Sequence, residues 1–115
     1  MAQVLLLSAA PGNDDSDYNR GAFRELRESA RIDLFKIHTL TNDAALADVI
    51  LFAELYGAGA YFEKVRSHPY VKRYRDKCFV FCSNDFIIPL LPGVYACIGK
   101  RWASKRTCSG FYLGV

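Results

Sequence analysis

The sequence predicts one α/β domain spanning residues 1–115: a three-layer, Rossmann-like half-domain with a mainly parallel sheet of four to five strands and helices on both faces. Three observations predict it. Short apolar runs, such as residues 4–7 and 78–82, recur along the chain and are too short to be helices. Segments with apolar residues at helical spacing separate them, and alternation of this kind argues for parallel strands joined by crossover helices. At 115 residues, the chain is long enough to bury roughly 65% of its unfolded surface in a single core.

Residues 4–7 read as the first strand, and the following SAAPGNDDSD supplies breakers and cap residues. Ala22, Phe23, Leu26 and Ala30 lie on one face of an amphipathic helix over residues 18–30, with Ser16 or Asp17 as its cap. IDLFKIHTL, residues 32–40, is the second strand, with 34–37 its paired centre. Thr41, Asn42 and Asp43 offer caps for a helix of one to two turns through residue 47. Residues 49–53 form a short buried strand with Glu54 at its end. A helix over 61–66 stops before His68-Pro69, because a residue preceding proline is disfavoured in the α region. Residues 70–74 make a further turn before the apolar strand 78–82. Leu91-Pro92-Gly93-Val94 suits a type II turn with glycine at positive φ, and residues 94–98 form a last extended segment.

Aligned parallel strands collect their carboxyl ends on one rim, where open α/β sheets bind ligands. The expected rim holds residues 8–15, 38–42, 54–57 and 83–85. The loop after the first strand has neither a GxGxxG nor a GKS pattern, so no dinucleotide or phosphate-loop cofactor is expected. Asn13 and the acids Asp14, Asp15 and Asp17, with Glu25 beyond, suit sugar hydroxyls or a hard cation, but a solvated loop with a helix cap is the favoured explanation. Glu54 and Asp85, at the ends of neighbouring strands, can bind ligand hydroxyls or accept a proton, or can simply cap and pair. His68 has a general base's chemistry but no carboxylate near it in sequence.

Composition narrows the partners. Hydrophobic residues at 51% and aromatic residues at 14% are high for a lone small domain and point to an apolar face meant for a second copy or a missing domain. The net charge is only +3, so the cations of residues 64–77 and 99–106 create little long-range field. Tyr70, Tyr74 and Trp102 among those cations have the composition of a single-strand nucleic-acid surface, but no RNP, KH or helix-turn-helix pattern accompanies them, which argues against that partner. Cys78, Cys82, Cys97 and Cys108 match no zinc spacing, so no metal site is expected, and Cys78 and Cys82 read as core residues. The chain opens without a secretory pattern and contains no stretch of about 20 apolar residues, so the expected location is the cytoplasm, without a membrane span.

Four segments together carry a resemblance: ADVILFAE (47–54), HPYVKRYRDKCFVFCSND (68–85), LPGVYACI (91–98) and RTCSGFYL (106–113). They resemble the N-terminal half of exostosin-like and related bacterial glycosyltransferases of the two-domain GT-B type. The resemblance implies an acceptor-side domain, inactive alone, whose partner C-terminal domain would hold the donor nucleotide. It marks Glu54, His68, Asp85 and Tyr95 as ligand-facing positions and Gly93 as structural. Cys97 stands where that pattern has serine. A stand-alone homo-oligomeric binding module is the alternative. The apolar ending FYLGV suits either a continuation of the chain or a covering partner.

Overall fold

The computed structural model describes residues 1–10, 20–54, 60–82, 91–95 and 106–109. Among these residues six strands form one sheet: β1 (Gln3–Leu7), β2 (Thr39–Leu40), β3 (Val49–Glu54), β4 (Cys78–Cys82), β5 (Gly93–Tyr95) and β6 (Thr107–Ser109). Among the described residues three α-helices accompany them, α1 (Gly21–Arg31), α2 (Ala60–Arg66) and α3 (Pro69–Tyr74), with a short 3-10 turn at Arg75–Lys77. The strand order is β2-β1-β3-β4-β5-β6, and every neighbouring pair is parallel. The α/β class and the parallel sheet are as the sequence predicts. The sheet is wider than expected, because the short TCS segment of β6 adds to β5 through the register Val94↔Cys108.

Side-chain alternation divides the sheet into two faces. Leu5, Ile50, Phe52, Cys78, Val80, Cys82 and Tyr95 project to one face and pack with Val65 of α2 and Val71 of α3. Cys78 and Cys82 are fully buried in that core and belong to no disulfide, as expected of core residues. The other face carries Val4, Leu6 and Leu51, beside Leu26 and Ala30 of α1. Helices therefore cover both faces, and the layers are three.

Local chemistry explains where elements start and stop. Asp43 accepts from the backbone N–H groups of Ala45 and Leu46, and Ala47 N–H donates to the Asp43 carbonyl. The expected helix through residue 47 is thus one closed turn. Its carbonyl end is capped by Lys77, whose Nζ donates to Ala44 O at 2.7 Å and Ala47 O at 2.8 Å while lying 4.6 Å from the Tyr74 ring centroid. His68 caps α3, accepting from Tyr70 N–H through Nδ1 at 3.1 Å, and Pro69 occupies the first helical position, where no N–H is needed.

Two sequence expectations are corrected. The second strand is confined to Thr39–Leu40, not residues 32–40, because Asp33 takes the Phe35 N–H and Lys36 turns the chain at φ 52°, which breaks an extended pairing. The Pro92–Gly93 step leads straight into β5. Gly93 has φ 158°, far from the value a type II turn requires, and it is the close approach to Val80 that excludes a side chain. The expected caps Ser16 and Asp17 lie outside the described residues.

Candidate functional site at the carboxyl edge of the sheet

In the order β2-β1-β3-β4-β5-β6 the chain first builds from β1 to one side and then crosses to the other. The reversal lies between β1 and β3, and a crevice outside the carboxyl ends of those two strands is the usual ligand position in such sheets. Glu54 is the last residue of β3, and Ser8 follows the last residue of β1. The register Leu7↔Phe52 brings the two ends level.

Glu54 is nearly inaccessible, at 1% exposure. Its Oε1 accepts from Ala9 N–H at 2.6 Å and its Oε2 from the Ser8 hydroxyl at 3.1 Å. Ser8 Oγ in turn accepts from Ala10 N–H at 3.1 Å. One carboxyl group thus ties the start of the β1 loop to the end of β3, across 46 positions of sequence. Burial is the dominant influence on its acidity and raises its pKa to about 7; the Ala9 N–H, the Ser8 hydroxyl and the charge of Arg20 pull the other way. At neutral pH the group exists in both protonation states, so it can accept or donate a hydrogen bond.

No family model, curated protein or solved structure matches the chain. The site therefore rests on its own geometry. Among the described residues no group of three or more His, Cys, Asp or Glu side chains is placed to hold a metal ion. Among the same residues no helix is long and apolar enough to cross a membrane.

The other sequence candidates fall in different places. Asn13, Asp14 and Asp85 lie outside the described residues. Tyr95 sits in the same layer as Glu54 but is fully buried, and its hydroxyl donates to Leu91 O at 2.5 Å. Burial holds its acidity far below that of a free tyrosine. His68 is packed edge-on to Phe52 at 5.1 Å and against Tyr70 at 5.0 Å, and its Nδ1 lone pair is committed to the α3 cap. Burial lowers its pKa, which favours the neutral ring that a cap acceptor must be. His38, expected on the carboxyl rim, is not there, because β2 begins after it. It lies instead at the amino edge, where Nδ1 accepts from Ala2 N–H.

Sequence reading finds Glu54 but not its partner. Ser8 reads there as one rim residue among several, and only the pairing of β1 with β3 singles it out. Lys77 escapes notice as a structural cation because the carbonyls it caps lie 30 to 33 positions earlier. Arg106 likewise donates to Asp76 O and stacks 5.1 Å from the Phe79 ring centroid, an internal use for one of the cations that composition alone leaves open to a phosphate.

Proposed function

We propose that the chain is a hydroxyl-binding α/β domain of the acceptor-side type found in glycosyl transfer, inactive as a transferase alone, with its ligand at the β1/β3 switch point. The observation supporting this reading is the Glu54–Ser8–Ala9 lock. A buried carboxyl group is held at the strand end where ligands of such sheets lie, and it ties down Ser8 and Ala9, just ahead of the segment that contains Asn13 and Asp14. Glu54 acts as a positioning residue through Ser8 and Ala9, because its own oxygens are engaged inside the protein. In this reading Asn13 and Asp14 of that segment supply the polar groups for sugar hydroxyls. The segments resembling glycosyltransferase N-terminal domains favour a saccharide over other hydroxyl-rich ligands, and in that reading the nucleotide sugar belongs to a separate domain.

The test is an amide-resonance titration of the isotopically labelled chain with neutral oligosaccharides and, separately, with nucleotide sugars. The reading expects shifts at Ser8, Ala9, Ala10 and Glu54 with millimolar oligosaccharide, and no turnover of any nucleotide sugar. Turnover by the chain alone, or resonances unmoved by every saccharide, would overturn it.

A further inference from the structure

Five large apolar side chains stand exposed along one short stretch: Ile32 at 58%, Leu34 at 92%, Phe35 at 81%, Ile37 at 57% and Leu40 at 49%. They lead up to and into β2, an edge strand of the sheet among the described residues. Thr39 and Thr41 N–H groups make the bonds to β1, so the N–H and C=O of Leu40 point to the open side. Beside this edge lies a cavity of about 390 Å³ between α1 and the sheet, lined by Val4, Leu6, Leu26, Ala30, Leu40 and Leu51 and also by Asp33 and Lys36.

We propose that residues 32–40 form the interface of a two-fold symmetric homodimer, in which the Leu34–Phe35 tip of each copy enters the cavity beside β2 of the other. The tip is held outward by its own bonds: Asp33 accepts the Phe35 N–H at 3.0 Å, Lys36 Nζ donates to Arg31 O at 3.0 Å, and Lys36 takes positive φ. An apolar knob and an apolar hole therefore sit a few residues apart on the same edge. A two-fold axis there seats both knobs in both holes at once, which a head-to-tail contact cannot do without propagating.

Area and charge agree with a second copy as the occupant. Taking about 150–200 Å² for each whole residue, the lower part of the range that aromatic side chains bury, the five exposed fractions amount to roughly 600 Å² at most. That is most of the roughly 800 Å² per partner found in stable interfaces, before any backbone pairing at Leu40 is counted. The cavity lining includes one acid and one base, so a two-fold can set Asp33 of one copy beside Lys36 of the other; a lining of single sign would repel its own image. The surface is separate from the switch point and stands or falls independently of the saccharide reading.

Sedimentation velocity of the full chain from 2 to 200 µM tests the proposal, with Phe35→Asp as the disrupting variant and Leu46→Asp, an exposed apolar site outside the stretch, as the control. The expected result is a wild-type dimer over the upper part of that range, unchanged in L46D. F35D should stay monomeric throughout, at least 50-fold weaker, with unaltered circular dichroism. A photo-crosslinking residue at position 35 should join peptides containing Leu26 or Ala30 of the other copy in a mixture of light and heavy chains. A wild-type monomer at 200 µM would overturn the proposal, as would a dimer indifferent to F35D, crosslinks confined within one chain, or a small molecule held by the monomer in native mass spectrometry.

Discussion

Glu54 shows how a single residue couples the candidate site to stability. Its folded pKa of about 7 lies above the ordinary value of 4.5, so between those values the native state holds a proton that the unfolded chain releases. Stability from this group is therefore greatest below pH 4.5, falls as pH rises towards 7 and is constant above it. The full span is worth about 3 kcal/mol, since each tenfold difference in proton affinity between the folded and unfolded chain contributes about 1.4 kcal/mol. Glu54→Gln keeps an acceptor for Ala9 N–H and cannot ionise, so urea unfolding at pH 5 and pH 8, which spans most of that change, should show the wild type losing about 2.5 kcal/mol more than the variant. Equal losses would show that Glu54 titrates normally. His68 has the opposite dependence. Its lowered folded pKa gives stability that is full above 6.5 and lost as pH falls below it. His68→Asn, which retains a cap acceptor, should be nearer to wild type at pH 7.5 than His68→Ala, whose lost cap costs about 1 kcal/mol before packing is counted. Thermal unfolding of the two variants distinguishes them. The rim position of Glu54 was legible because a strand ending in an acid is a local pattern; its burial was not, since that depends on Ser8 and Ala9 arriving from β1.

At the scale of elements, β5 depends on a contact between backbones. A Cβ on Gly93 would lie 1.9 Å from the Val80 carbonyl oxygen, while Val80 N–H donates to Pro92 O at 3.0 Å. No side-chain movement can relieve that overlap, so Gly93→Ala should destabilise by about 3 kcal/mol or more. Chemical denaturation that found it within about 1 kcal/mol of wild type would mean that β5 can shift away from β4. At the other end of β5, Tyr95→Phe removes the hydroxyl that satisfies Leu91 O and leaves a buried carbonyl without this partner, a loss of about 1–3 kcal/mol by the same measurement. Sequence reasoning identified glycine here for the wrong element, because Pro-Gly is a turn signal locally and only the neighbouring strand reveals the close approach. The apolar pattern of residues 32–40 misled for a related reason. It suits a strand, but the Asp33 side chain and the Lys36 turn use the backbone differently, leaving only Thr39–Leu40 to pair. By contrast the start of α3 was half legible: proline announced a boundary, and the structure shows it to be the first residue of the next helix.

For the whole molecule, strand order decides which parts open first. The class was legible in the alternation of apolar runs with helical segments, but the order was not, because pairing between strands is set by contacts that no local pattern encodes. β3 and β4 pair on both sides and share five register positions, from Ile50↔Cys78 to Glu54↔Cys82, and Ile50, Phe52, Cys78 and Cys82 are wholly or almost wholly removed from solvent. β2 pairs on one side through two positions and carries exposed side chains. Amide hydrogen exchange reports the free energy of each opening, and edge elements with few buried contacts open without the rest. Exchange should therefore be slowest at the ladder amides of Ile50–Ala53 and Phe79–Phe81 and fast at Thr39 and Thr41 when measured on F35D, which isolates the single copy. In the wild type at high concentration, Leu40 N–H should gain protection that F35D lacks, because pairing across a two-fold would cover the outward side of β2 alone. Uniform protection across all six strands in F35D would instead mean that the sheet opens as one unit, with β2 bound as firmly as its centre.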